Sequence, residues 1–263
     1  MLLKNKIVVV SGIGPGLGVK LAIEAAREGA SGIVAAARSA AKLDDAEQRV
    51  KAVNPDCQVL KVVTDITDRA ACDAMAAAAV KVFGRIDALI NSAFVHGEMD
   101  YASTAALDGW MDVMNTNLIG TLKMTQAVIP QMKAQQRGAI VMVNTMAVRT
   151  IPSLGEAGYA ASKAALGNSA KWLAKELGPS GIRVNTIHMG WMWGAPVQGY
   201  MEWQANELKV PLAQLKGSVE ASIPLGRMPT DDECARAALF LVSDYASAVT
   251  GAALDANGGM YMP

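Results

Sequence analysis

Tyr159 and Lys163 stand four residues apart in a run over 158–175 that is rich in Ala and Leu and reads as a helix. At that spacing side chains stack on one helical face, so an ammonium can lie beside a phenol. A free tyrosine titrates near ~10, and a neighbouring positive charge favours its ionised form, which suits the pair to acid–base work near neutrality. The same spacing also arises as an ordinary surface pair. The elements around it decide between the two.

Residues 7–10, Ile-Val-Val-Val, form a β-branched run too short for a helix and too uniformly apolar for a half-exposed strand. The run feeds straight into Ser11-Gly12-Ile13-Gly14-Pro15-Gly16-Leu17-Gly18, and helical patterning begins at Val19. Strand, glycine turn and helix together let the backbone approach a pyrophosphate at a helix N-terminus. A turn needed only for tight packing is the plainer alternative, and four glycines exceed what such a turn requires.

A second strand over 32–37 ends at Ala37-Arg38-Ser39, with no carboxylate until Asp44. An acid at that strand end would bind a ribose 2′-hydroxyl, whereas a base would bind a 2′-phosphate, so Arg38 favours NADP, with NAD as the alternative. Helices over 40–53 and 68–83 then alternate with strands over 58–63 and 86–90. This rhythm predicts a parallel sheet in one domain spanning 1–263. Asp65 and Ile66 follow the third strand and Asn91-Ser92-Ala93-Phe94 the fourth, all placed to touch a dinucleotide.

A long helix over 107–133 carries Asn117 in its interior, where asparagine is a mediocre helix former. Strands over 138–145 and 182–188 flank the Tyr159 helix, and a helix over 231–242 and a short strand over 252–254 close the chain. The segment 191–223 breaks the rhythm. It holds Trp191, Trp193 and Trp203 with Tyr200, Met192 and Met201, a composition that predicts a lid over an apolar ligand; a subunit interface or minor core is the alternative.

Lys plus Arg number 24 and Asp plus Glu number 24, so charge offers no case for nucleic acid or an anionic membrane as partner. Cys57, Cys72 and Cys234 lack metal-ligand spacing and read as buried thiols of a reducing compartment, with no metal site. The first residues lack a signal-peptide pattern and no stretch is apolar enough to span a bilayer, which makes the cytoplasm the expected location.

In order and spacing, Gly12-x-x-x-Gly16-x-Gly18, Asp65, Asn91-x-Ala93, Asn117 and Tyr159-x-x-x-Lys163 resemble the motifs of the short-chain dehydrogenase/reductases. Ile223-Pro224-Leu225-Gly226-Arg227 and Thr250-Gly251 with Asp255, Gly258 and Gly259 are similar too, so the resemblance covers essentially the whole chain. It implies a doubly wound α/β Rossmann fold, hydride exchange between a secondary alcohol or ketone and a nicotinamide, and a homo-oligomer, tetramer or dimer, packed through the helices bearing Asn117 and Tyr159. C=C reduction, epimerase or dehydratase chemistry and a non-catalytic nucleotide-binding subunit are alternatives on the same scaffold.

The family's catalytic tetrad is Asn, Ser, Tyr and Lys. Asn117, Tyr159 and Lys163 fill three places, Asn117 as holder of a water that joins Lys163 to solvent. Strict counting back from Tyr159 puts Met146 at the serine; aligning the strand end puts Thr145 there, which keeps a hydroxyl donor. Met189, Gly190 and Met192 follow the sixth strand at the nicotinamide end, and Gly194 stands where the family often has a threonine on the carboxamide. Phe94, Trp191 and Trp193 are expected to join Thr145 and Tyr159 around a bulky, uncharged substrate of aryl, terpenoid or steroid type.

Overall fold

A computed structural model describes residues 1–152 and 155–263. β1 (Ile7–Ser11) is buried throughout and pairs in parallel with β2 (Gly32–Ala37) on one side and β4 (Ala88–Asn91) on the other. With β3 (Gln58–Val63), β5 (Gly138–Thr145), β6 (Ile182–Met189) and β7 (Ala253–Ala256) they form a seven-stranded parallel sheet in the order β3-β2-β1-β4-β5-β6-β7. Strand order reverses at β1, between β2 and β4, and opens a crevice at the carboxyl ends of β1 and β4.

Alternate residues of β1 serve opposite faces, as the two-residue period of a strand requires. Val8 and Val10 join a core built with α1 (Leu17–Arg27), α2 (Ala40–Val53) and α9 (Asp231–Val242). Ile7 and Val9 face α3 (Arg69–Phe83), α5 (Thr121–Gln135) and α6 (Ala157–Leu177). The three cysteines are free and buried.

The helix expected over 107–133 is composite. α4 (Leu107–Met114) runs into a π-helical segment, Asn115–Gly120, before α5 resumes the α-helical pitch. Such widened turns gather at functional positions, and this one contains the buried Asn117.

Between β6 and α9 the chain makes two helices, α7 (Ala195–Leu208) and α8 (Leu212–Glu220), where the sequence pattern predicts only a lid. They enclose a small separate core of Met201, Ile223 and Met228, against which Trp191 and Trp193 pack. The N-terminus of α9 is fastened by a capping box: Glu233 N–H donates to the Thr230 hydroxyl at 3.3 Å, and Thr230 N–H donates to the Glu233 carboxylate at 2.8 Å. Trp193 N–H donates to the Pro229 carbonyl at 2.8 Å, which ties the segment after β6 to the same corner. Among the described residues no helix is long and apolar enough to cross a membrane.

Candidate active site

The glycines after β1 divide by function. A Cβ on Gly12, whose φ is +97°, would collide with the backbone of Ala93, and one on Gly18 would collide with the Gly12 carbonyl oxygen. Those two are required by close backbone approach. Gly14, in contrast, has no non-neighbouring heavy atom within 4 Å of where a Cβ would stand. It opens onto the crevice at the start of α1, whose N-cap Gly16 supplies no side-chain cap to the first N–H groups. The turn therefore serves packing and leaves a free cradle for a phosphate.

Two clefts meet over this turn. One, about 370 Å³, is lined by Gly12, Gly14, Ala37, Arg38, Ser39, Lys42, Asp65, Ile66, Ala93 and Phe94. The other, about 380 Å³, is lined by Gly12, Gly14, Gly16, Leu17, Gly18, Phe94, Thr145, Tyr159, Lys163, Met189, Gly190, Met192 and Asp231. Gly12, Gly14, Ser92 and Phe94 are common to both, so the crevice is continuous. Its shape and donors fit a dinucleotide: a basic end at Arg38 and Lys42, uncapped N–H groups in the middle, and a titratable end at Tyr159 and Lys163. Lys42 is the contributor that the sequence pattern missed; it lies in the first turn of α2, four residues beyond Arg38.

Thr145 ends β5 and faces the second cleft, its hydroxyl accepting from Ala147 N–H at 3.2 Å. Met146 is buried, with its sulfur packed toward Gly190, outside that lining. Lys163 is buried and its Nζ donates to the Val143 carbonyl at 2.8 Å. Burial lowers its pKa to about 8. For Tyr159 burial pushes the phenol well above its ordinary value, the Glu156 carboxylate adds to the rise, and the Thr145 hydroxyl opposes it.

This corrects the expectation that Lys163 lowers the phenol's pKa. The ammonium lies 6.0 Å from the Tyr159 ring centroid and donates to the Val143 carbonyl, and desolvation of the phenolate is the largest influence on the phenol. Two groups that the motif does not announce crowd the same ring. His96 stacks on Tyr159 at 4.8 Å between centroids, its Nε2 3.9 Å from the Glu156 carboxylate, and Phe94 lies at 5.8 Å.

Asn117 is fully buried and committed. Its Oδ1 accepts from Val95 N–H at 2.8 Å, and its Nδ2 donates to the Val95 carbonyl at 2.9 Å and to the Ser162 hydroxyl at 3.0 Å. Both amide protons are spent, so the side chain works as a clamp between the Phe94 loop and α6.

Asn91 differs from expectation. Its amide donates to the Thr125 hydroxyl at 3.0 Å and contacts the Met142 sulfur at 3.3 Å, and it lines neither cleft. Strand alternation turns it toward the α5 side of the sheet. Trp191 and Trp193 also differ, since they lie outside the lining of both clefts and in the satellite core, where Lys216 Nζ sits 4.8 Å from the Trp193 ring centroid. The apolar share of the cleft falls instead to Phe94, Met189, Met192 and Val197. Among the described residues no group of three or more His, Cys, Asp and Glu side chains could hold a metal ion.

Comparison with known proteins agrees with this geometry. A family model described as enoyl-(acyl carrier protein) reductase matches residues 12–261. A 3-oxoacyl-(acyl-carrier-protein) reductase of Staphylococcus aureus is 31% identical over 258 residues, 98% of this chain and 99% of the relative. Among solved structures, an NAD+-bound xylitol dehydrogenase superposes with a TM-score of 0.89 at 28% identity, covering 98% of this chain and 100% of that one. An actinorhodin polyketide ketoreductase with NADPH gives a TM-score of 0.88 at 26% identity, covering 97% of each chain.

The split among the glycines is testable. Gly18→Ala is expected to lower the unfolding free energy by about 1–3 kcal/mol, because Cβ and the Gly12 carbonyl compete for one space. Gly14→Ala is expected to leave the melting temperature unchanged and to weaken dinucleotide binding roughly tenfold, about 1.4 kcal/mol. Thermal unfolding and a fluorescence titration of the two variants read both effects.

Proposed function

The chain belongs to the short-chain dehydrogenase/reductases and is an NAD(P)-dependent oxidoreductase of carbonyl and alcohol groups; from that premise we propose that it interconverts a secondary alcohol and a ketone, preferring NADP and a bulky, uncharged substrate. The observation that carries this reading is the convergence of Thr145, Tyr159 and Lys163 on one cleft beside the glycine turn. The nicotinamide, when bound, supplies the hydride exchange.

The side chains supply orientation and proton handling. Thr145 holds the substrate oxygen through its hydroxyl. Tyr159 takes the alcohol proton at its phenolic oxygen in oxidation and returns it in reduction. A phenol is protonated at neutral pH at its ordinary value, and burial holds Tyr159 further toward that form, the donor needed for ketone reduction. Lys163 binds the nicotinamide ribose, where its buried ammonium gains hydroxyl acceptors. Asn117 keeps the loop bearing Phe94 and Val95 pinned to α6. Asp65 and Ile66 border the adenosine end, while Met189, Gly190 and Met192 border the nicotinamide end.

Cofactor choice rests on Arg38, exposed at the end of β2, with Lys42 on the same cleft wall. The substrate class rests on the apolar wall of Phe94, Met192 and Val197. A second reading, reduction of a 3-oxoacyl thioester, is favoured by the 3-oxoacyl-(acyl-carrier-protein) reductases among the relatives, that of Staphylococcus aureus included. A homo-oligomer is the third part of the proposal: Leu107 and Met111 on α4 and Trp172 on α6 are exposed large apolar groups on the helices flanking the site.

Tyr159→Phe is expected to lower kcat at least a hundredfold, since general acid–base assistance is typically worth 10²–10⁴-fold, while NADPH binding persists. Steady-state assays with aryl and terpenoid ketones and with a 3-oxoacyl thioester measure this and separate the two substrate readings; near-normal turnover by the variant removes Tyr159 from the chemistry. Arg38→Ala is expected to raise KM for NADPH by roughly tenfold with KM for NADH unchanged, a loss of about 1.4 kcal/mol at the 2′-phosphate. Trp172→Glu is expected to shift the sedimentation coefficient of the assembly toward the monomer; an unchanged value places the interface elsewhere.

A further inference from the structure

The corner where α7 and α9 begin holds a group that the proposed chemistry does not use. Asp231, the first residue of α9, is only 4% exposed, and among the described residues no group donates a hydrogen bond to its carboxylate. The cation that acts on it, Lys20, is already bound to Asp232 at 2.9 and 3.0 Å. The residue is enclosed but its carboxylate oxygens open onto the cleft, so they are acceptors that no protein group occupies.

The carboxylate takes the place of a missing side chain. Gly194 is the N-cap of α7 in extended conformation, and a Cβ built there would collide with both carboxylate oxygens of Asp231. Position 194 therefore offers no polar group to the cleft, and Asp231 offers one from the neighbouring element. Both partners are held: Trp193 is bonded to Pro229, and Thr230 closes the capping box. The carboxylate lines the same cleft as Thr145, Tyr159 and Lys163, and one of its oxygens lies 3.8 Å from where a Cβ on Gly16 would stand.

An ionised carboxylate only accepts hydrogen bonds, so a group bound to it must bring a donor. On a nicotinamide dinucleotide the donors are the ribose hydroxyls, which at the nicotinamide end the reading above gives to Lys163, the adenine amine and the nicotinamide carboxamide. The adenosine end belongs to the Arg38 cleft, which Asp231 does not line. We propose that the Asp231 carboxylate accepts a hydrogen bond from the carboxamide NH2 of the nicotinamide, so that α9 orients the reactive ring from a position that position 194 leaves vacant. This rests on the dinucleotide reading given above. Burial raises the pKa of the Asp231 carboxyl, Asp232 adds to the rise and Lys20 opposes it, as expected of an acceptor awaiting a donor.

The test is a set of binding titrations with three probes: NADP+, its 3-acetylpyridine analogue, which carries a methyl ketone in place of the carboxamide, and 2′-phospho-ADP-ribose, which lacks the ring. Asp231→Ala is expected to weaken NADP+ binding at least tenfold and to leave the Kd values of the other two within twofold of wild type. Asp231→Asn, which keeps an acceptor oxygen in the same shape, is expected to recover part of the loss. Equal losses for all three probes, or no loss for NADP+, overturn the assignment of Asp231. Failure of the wild-type protein to bind either dinucleotide overturns the dinucleotide reading itself, so the two failures are distinguishable.

Discussion

Everything at this site depends on a backbone contact that only glycine permits. Gly12 lies against the backbone of Ala93 at the end of β4, and Gly18 lies against the carbonyl of Gly12. The two contacts fold the chain back tightly enough that α1 starts directly beneath the crevice instead of beside it. Side chains at either place would push α1 away from β4, and the clefts that meet at Gly14 would separate. Parallel strands supply the crevice, but the missing Cβ atoms bring the helix N-terminus into it.

Burial then divides the proton-handling groups. In the same cleft it raises the phenol of Tyr159 and lowers the ammonium of Lys163, so both neutral forms gain relative to their charged forms. The two groups, close in proton affinity when free in water, are drawn apart by burial, so that the phenol holds its proton while the amine more readily gives one up. Val143 and Thr145 on β5 and the clamp of Asn117 on Val95 and Ser162 hold this arrangement from two different elements. His96 and Glu156 add a second titratable layer at the rim of the same ring.

Local pattern made much of this legible. β3, β5, α2 and α9 begin and end where period and breakers predict, because apolar runs and flanking caps are properties of a few neighbouring residues. Thr145 was legible for a related reason, since a strand's last residue is set by the strand. The failures share a cause in long-range geometry. Asn91 follows strand alternation into the α5 side, which depends on how β4 is packed and not on its own motif. Trp191 and Trp193 are apolar and aromatic in either role, and only the positions of α7 and α8 send them to a satellite core. His96 and Asp231 carry no motif at all; each acquires meaning from a ring or a glycine far away in the chain.

The π-helical segment from Asn115 to Gly120 also sets an angular phase. Each residue of an α-helix advances the side chains by about 100°, so one residue taken up by a widened turn rotates all that follows by that amount. α4 and α5 are thus two differently phased rods within one rod. The first can turn its apolar stripe toward α6 while the second turns its stripe onto the sheet, where Met124, Val128 and Met132 are buried. Asn117 sits at the phase change, where a polar side chain can point inward without interrupting either stripe.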